Sequence, residues 1–153
     1  TVYSKKLNQQ RGDINLVKTL KPISQYVKDL SFENYAAQKN QFKPEKLDLN
    51  IDLNIKKKAL KKDLLEITLV ILLEAKGISE KKFVIELSYA STFLLKPTLT
   101  PSEEKEFAFI NCPNIMFPFV REIIYNISRN SGFLPINLDY IDFYAHFNSN
   151  NLT

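Results

Sequence analysis

The sequence predicts an α+β domain in which β-strands come first and helices pack afterwards on one face of the sheet. Two patterns carry this prediction. Between Leu47 and Ile55, leucine and isoleucine alternate with aspartate and asparagine, which is the two-residue period of a half-buried strand. After Pro113, apolar residues recur at helical spacing as far as Arg129. Strand-like segments precede this helix, so strands and helices do not alternate.

Length and composition limit the classes of protein that fit. The 153 residues suit one domain with a core of its own. A single cysteine excludes an intrachain disulfide and favours a reducing, cytoplasmic compartment. No apolar run is long enough for membrane insertion, and the first 22 residues lack a signal-peptide pattern. We expect a flexible arm over residues 1–21, one domain over 22–148 and a short polar tail over 149–153.

Four segments have the composition and period of strands. They are residues 26–32, 47–55, 64–73 and 83–93. The third is apolar on both faces, which indicates a central strand or a strand whose second face meets a partner. Short connections, one of them marked by Gly77, favour antiparallel hairpins. Residues 34–45 are expected to form a crossing loop, and residues 96–106 a second loop.

Five lysines fall within Lys56–Lys62 and interrupt the second strand pattern. A solvated hairpin tip is the simplest interpretation, because lysine commonly protects strand ends and edges. The alternative is a set of contacts to nucleic-acid phosphates. Neither arginine nor aromatic platforms lie among these lysines, so no nucleic-acid partner is expected.

The helical region contains its own start and stop signals. Pro113 predicts a helix start, because the first helical turn needs no proline N–H. Pro118 should kink or restart this helix, and Gly132 is placed to end it. Asp139 or Asp142 can then cap a short second helix that is rich in aromatic residues.

Residues for covalent or acid–base chemistry are scarce. The single histidine, His146, and the single cysteine, Cys112, lie far apart in sequence. We expect His146 on a helix surface and Cys112 either buried or at a helix cap. Glu103 and Glu104 form a pair of carboxylates, but their place in a polar loop explains them as solvated side chains without acid–base catalysis. The sequence therefore predicts no enzyme, no catalytic residue, no metal site and no cofactor.

Four blocks of sequence keep their order and spacing across residues 26–147. They are residues 26–33, 112–122 (CPNIMFPFVRE), 132–138 (GFLPINL) and 141–143. In these blocks the chain resembles the SecB family of protein-export chaperones. The resemblance implies a four-stranded antiparallel sheet with two C-terminal helices packed on one face. It also implies assembly as a homotetramer, a dimer of dimers.

The resemblance implies a cytoplasmic, ATP-independent holdase. Such a chaperone keeps secretory precursor proteins unfolded and passes them to the SecA motor. The family is usually acidic, whereas this chain carries a net charge of +4 and has no acidic tail. A dedicated SecB-like chaperone of a single client, for example in a toxin–antitoxin system, is therefore the alternative.

The resemblance also implies two sets of site residues. Client-binding grooves lie between the crossing loop, the sheet and the second helix. The matching positions here are Phe42, Leu47, Leu49, Phe119, Phe133, Tyr140 and Phe143. Core packing is the alternative for each of them. The SecA-binding surface is acidic and lies on the sheet, and its matching positions are Asp29, Glu33, Val84 and Glu86. The alternative is that these acidic residues are ordinary solvated side chains, since any strand face exposed to water carries similar ones.

Overall fold

The computed structural model describes residues 20–95 and 99–150. Its sheet has four strands: β1 (Leu20–Asn34), β2 (Asp48–Lys61), β3 (Leu64–Lys76) and β4 (Lys81–Leu95). The strand order is β1-β4-β3-β2, and every neighbouring pair is antiparallel. This confirms the predicted four-stranded sheet and places the strand that is apolar on both faces, β3, in its interior.

Five helical segments complete the fold of residues 20–95 and 99–150. They are α1 (Tyr35–Gln38), α2 (Pro101–Glu106), a π-helix (Phe107–Asn111), α3 (Cys112–Arg129) and α4 (Phe143–Asn150). The strands and the C-terminal helices confirm the predicted α+β class. Of the expected arm and tail, only residues 20, 21, 149 and 150 lie within the described residues, and all four belong to β1 or α4.

The sheet has a helix-covered face and an outer face. The odd-numbered residues of β3 and β4 form the core together with α3, which packs on these two strands. Fully buried members include Ile67, Leu69, Leu73, Phe83 and Ile85. Side chains alternate across a strand, so the even-numbered residues of β3 and β4 lie on the outer face.

The predicted interruption of the second strand by Lys56–Lys62 is wrong. β2 continues to Lys61, and the hairpin tip is only Lys62 and Asp63. β2 is an edge strand, so its lysine side chains reach water while their backbone still pairs with β3. The run of lysines hid the strand because it lacks the apolar alternation that marks the preceding residues.

The predicted loop over residues 96–106 is wrong for its second half, where α2 begins at Pro101. Thr100 accepts a hydrogen bond from the Glu103 N–H, and the Glu103 carboxylate accepts one from the Thr100 N–H. This reciprocal capping box satisfies N–H groups that a helix start otherwise leaves unpaired. The sequence contains the motif, but the neighbouring prolines and glutamates favoured a loop.

Pro113 is not the start of an isolated helix, because the helical path already runs through α2 and the π-helix. In the π-helix the Cys112 N–H donates to the Phe107 carbonyl, five residues earlier. Proline lacks an N–H, and its ring clashes with the carbonyl four residues before it in a regular α-helix. The wider π turn accommodates Pro113 at this point. Pro118 does not restart the helix, since α3 is unbroken to Arg129.

Candidate binding groove

A groove of about 780 Å³ lies between the crossing loop and the segment that follows α3. Residues 42–47 and Leu49 form one wall, and residues 132–137 form the other. Most of the side chains that line it are apolar, and Lys43, Glu45 and Lys46 are its charged members. The groove therefore joins two segments that are about 90 residues apart in sequence but adjacent in the fold.

Aromatic rings connect this groove to the core. Phe83 is fully buried, and its ring centroid lies 5.0 Å from that of Phe133. Phe133 in turn lies 5.7 Å from Phe42, whose side chain is 50% exposed. The three rings run from the interior to the surface at spacings typical of favourable aromatic pairs. Phe133 therefore supports Phe42, and Phe42 keeps an accessible face.

The backbone at Gly132 permits the approach of Phe42. Gly132 has φ +87°, in the left-handed region that side chains disfavour. A Cβ at this position would lie 2.9 Å from Cε1 of Phe42. The backbone conformation favours glycine here, and a side chain at this position would also push the Phe42 ring aside.

A buried ion pair holds the crossing loop against the sheet. Lys82 is only 5% exposed, and its Nζ lies 2.7 Å from the Glu45 carboxylate. The same carboxylate accepts a hydrogen bond from the Ile78 N–H. Lys82, and then the Ile78 N–H, lower the pKa of Glu45. A Cβ at Gly77 would lie 2.6 Å from both side chains, so the close approach of this pair depends on glycine there.

Asn34 ties the other end of the crossing loop to the far wall of the groove. Its side-chain Oδ1 accepts a hydrogen bond from the Ala37 N–H and caps α1. Its Nδ2 donates to the carbonyl oxygen of Ser131, at 2.9 Å. One side chain therefore fixes the start of the loop relative to the turn after α3.

The outer face of the sheet gathers acidic side chains where β1 meets β4. Glu33 pairs with Val84, and Asp29 pairs with Ser88, two residues along β4 from Glu86. Antiparallel partners lie on the same face, and so do alternate residues of one strand. Asp29, Glu33, Val84 and Glu86 therefore share the face opposite the helices.

Residues 15–152 match the model of the preprotein translocase subunit SecB. The chain belongs to the SecB family. The protein-export protein SecB of Orientia tsutsugamushi (strain Ikeda) is 40% identical over 140 residues, which cover 84% of each chain. That of Dinoroseobacter shibae is 39% identical over 131 residues, covering 83% of this chain and 75% of the relative. These matches confirm the family that the sequence blocks indicated.

A solved structure shares the fold of this SecB-family protein. It is the Mycobacterium tuberculosis SecB-like chaperone Rv1957 in complex with a ChAD peptide from the HigA1 antitoxin. The two chains superpose with a TM-score of 0.71 at 14% sequence identity, over 88% of this chain and 99% of the other. The similarity demonstrates the common fold.

Four of the predicted client-contact residues come together in the groove of this SecB-family protein. They are Phe42, Leu47, Leu49 and Phe133. The structure adds Leu134, which the sequence reasoning missed although it lies in the block GFLPINL. Leu134 lines the groove and is 89% exposed, and no sequence period marks it as exposed.

Three predicted client-contact residues lie outside the groove. Phe119 is partly exposed and stacks on Tyr89 at 6.2 Å. Tyr140 is exposed, and the Arg121 guanidinium lies 4.5 Å from its ring centroid. Phe143 is 1% exposed and packs edge-on against Phe117, so its role is in the core and the prediction of a client contact there needs correction.

The single cysteine lies in the core, away from the groove. Cys112 is buried, and burial raises the pKa of its thiol, which keeps it protonated and unreactive. Within residues 20–95 and 99–150, no group of three or more His, Cys, Asp or Glu is arranged to hold a metal ion. None of the helices in these ranges has the length and apolar character needed to cross a membrane.

Proposed function

We propose that this SecB-family protein is a cytoplasmic, ATP-independent holdase for secretory precursors, which it keeps unfolded and delivers to SecA. The observation that carries the proposal is the groove, whose aromatic and aliphatic residues stay accessible in the folded chain. A protein that binds only the unfolded state of its client opposes folding of that client by mass action. No cofactor, nucleic acid or catalytic residue has a part in this proposal.

Client contacts are assigned to Phe42, Leu47, Leu49 and Phe133, with Leu134 added at the rim. Apolar burial contributes roughly 25 cal/mol per Å². Several weak apolar contacts along one unfolded chain together hold that chain, although each contact can dissociate and be replaced by another. Clients that share hydrophobicity but no sequence motif are recognised in this way.

Assembly into a homotetramer is supported by a second apolar surface. On the helix-covered face of β1, Val27, Leu30 and Phe32 are exposed along a sheet edge. Exposed apolar residues on an edge strand favour association with another chain. Val27 pairs with Tyr89, on which Phe119 stacks, so Phe119 belongs to this surface. We assign the surface to contacts between subunits.

SecA docking is assigned to the acidic part of the outer face, at Asp29, Glu33, Val84 and Glu86. Carboxylates arranged around an apolar residue present complementary charge to a basic partner and set the specificity of the encounter. This face is separated from the groove by the thickness of the sheet, so client and motor can bind together.

The proposal is tested by suppression of aggregation. An unfolded secretory precursor is diluted from denaturant with and without an equimolar amount of the purified protein, and light scattering is recorded. Scattering should fall without ATP. Unchanged scattering contradicts a general holdase, and recovery of one dominant client in a pull-down would support the dedicated chaperone instead.

A further inference from the structure

β1 contains one residue more than the stretch of β4 with which it pairs. Val27 pairs with Tyr89 and Asp29 pairs with Ser88, so Lys28 has no partner of its own on β4. An extra residue in one strand of an antiparallel pair is a β-bulge, and it breaks the regular alternation of side chains between the two faces. The position of the bulge therefore decides which residues of β1 each face presents.

The bulge gathers apolar residues of β1 on one face. Val27 and Leu30 are three residues apart, yet both lie on the helix-covered face because both pair with odd-numbered residues of β4. In a regular strand, residues three apart point to opposite faces. If regular pairing continued from Asp29 towards the start of β1, Lys28 would take the place of Val27 on the helix-covered face. A charged residue would then stand in the apolar surface that we assign to contacts between subunits.

The bulge residue and a tyrosine before it share one carboxylate of β3. Glu66 lies on the outer face of the sheet and is only 8% exposed. Its Oε2 accepts a hydrogen bond from the Tyr26 hydroxyl at 2.5 Å, and its Oε1 accepts one from Lys28 Nζ at 2.6 Å. β4 lies between β1 and β3, so these side chains join two strands that are not neighbours.

The two halves of β1 are held by different contacts. After the bulge, the ring of Phe32 packs edge-on against the buried ring of Phe83, which keeps this half in its register. Before the bulge, a slip by one residue would turn Tyr26 and Lys28 to the helix-covered face, away from Glu66. The nearly buried carboxylate would then lose both donors, and the cost in free energy opposes the slip.

We infer that Glu66 is a positioning residue for assembly, which selects the bulged register of β1 and so keeps Lys28 out of the subunit contact. The inference rests on the proposed homotetramer and names a residue on the opposite face of the sheet that governs its contact. Lys28, and then Tyr26, lower the pKa of Glu66, so the carboxylate is ionised at neutral pH. Lys58 of β2 and Thr92 of β4 lie directly across from Glu66, and the charge of Lys58 lowers this pKa further.

The first test compares Glu66→Gln with Glu74→Gln. Glu74 lies on the same face of β3 and pairs with Lys81 at 2.7 Å, so its variant removes a similar ion pair away from the bulge. Glu66→Gln should raise the dissociation constant of the oligomer about tenfold, measured by analytical ultracentrifugation, because hydrogen bonds to a charged group are lost. Hydrogen exchange of residues 24–29 should become faster while β3 stays protected. Glu74→Gln should match the parent protein in both measurements.

Deletion of Lys28 separates the register of β1 from the general stability of the sheet. Without the extra residue, β1 can pair regularly with Val27 on the helix-covered face and Tyr26 on the outer face. Assembly should survive the deletion, and adding Glu66→Gln to it should change the dissociation constant by less than about twofold. Equal losses with and without Lys28 would make Glu66 a general stabiliser of the sheet and overturn the inference. Loss of the oligomer on deletion alone would also contradict it.

Other outcomes separate this inference from the proposed function. A parent protein that is monomeric in solution contradicts the proposed homotetramer, and hydrogen exchange of residues 24–29 in the variants then decides the inference. Unchanged exchange and unchanged assembly in Glu66→Gln overturn the inference and leave the homotetramer standing.

Discussion

Phe42 and Phe143 have similar side chains in opposite environments, and the difference separates binding from stability. Phe42 is 50% exposed at the groove, and Phe143 is 1% exposed in the core. The family resemblance placed both among the client contacts, and the local sequence of an aromatic residue does not mark the side on which it packs. Phe143 packs against Phe117 in the core, and this burial shows that it contributes to stability rather than to client binding.

Phe42→Ala should weaken binding of an unfolded client by about 1–2 kcal/mol, as truncation of an accessible aromatic contact does. Assembly should not change. Peptide titration gives the affinity, and mass measurement in solution gives the assembly. Loss of the oligomer in this variant would show that Phe42 is structural.

Phe143→Ala should lower the free energy of unfolding by about 3–5 kcal/mol, because it leaves a cavity between α3 and α4. Urea denaturation followed by circular dichroism measures this loss. A stability equal to that of the parent protein, combined with weaker client binding, would return Phe143 to the contact residues.

Gly132→Ala should destabilise the protein by about 1 kcal/mol or more, because a side chain at φ +87° is strained. The added Cβ should also move the Phe42 ring, so client affinity should fall with the melting temperature. Asn tolerates the left-handed region better than alanine does, so Gly132→Asn should lower the melting temperature less. Equal melting temperatures for Gly132→Ala and the parent protein would contradict this account.

At the level of elements, the part of the crossing loop that follows α1 is held by an electrostatic anchor. Glu45 contacts Lys82 and the Ile78 N–H, which both belong to the β3–β4 hairpin region. The folded state lowers the pKa of Glu45, so the carboxylate contributes stability above its unfolded pKa. That contribution is lost as the pH falls through the lowered pKa of the folded protein.

Hydrogen exchange should therefore report opening of residues 39–47 at acidic pH before the core strands open. Glu45→Gln should show fast exchange in this loop already at neutral pH, because the ion pair to the buried Lys82 is absent. Glu104→Gln, which removes the exposed pair with Lys57, is the matched control and should leave the loop protected. Identical loop exchange in the two variants would exclude Glu45 as the anchor.

The strands show which elements the pattern alone can locate. Alternating Leu, Ile, Asp and Asn placed the first half of β2 correctly. The lysines of its second half carry no such period, so its length depended on pairing with β3. The π-helix has no sequence period of its own either. It arises where a continuing helix must accommodate Pro113, and a pattern search treats that proline as a start.

At the scale of the whole molecule, the acidic cluster lies on the outer face of the sheet, whereas the groove lies on the other side of it. The apolar edge of β1 is closer to the groove, because Phe32 lies 5.9 Å from Phe83, which in turn contacts Phe133. The acidic cluster can therefore be altered without changing the groove. Asp29→Lys should weaken SecA docking, measured by surface plasmon resonance, and leave client capture unchanged. If the Asp29→Lys variant docks as tightly as the parent protein, the acidic face is not the SecA-binding site.

Leu30→Asp should shift the mass in solution from a tetramer to a smaller species, because it places a charge within the proposed subunit contact. Ile78→Asp, at an exposed apolar residue in the turn after β3, is the control and should leave the mass unchanged. A tetramer that survives Leu30→Asp would move the subunit contact away from the β1 edge.

The sequence by itself determined the family, the order of strands and helices, and the chemistry available, since these depend on local period, on composition and on the blocks that resemble the SecB family. Only the tertiary structure decided which apolar residues remain accessible and which charges are paired. The physical reason is that exposure and charge compensation are properties of neighbours brought together by folding. Phe42 beside Gly132, and Lys57 beside Glu104, are such neighbours, and nothing in their local sequence encodes the contact.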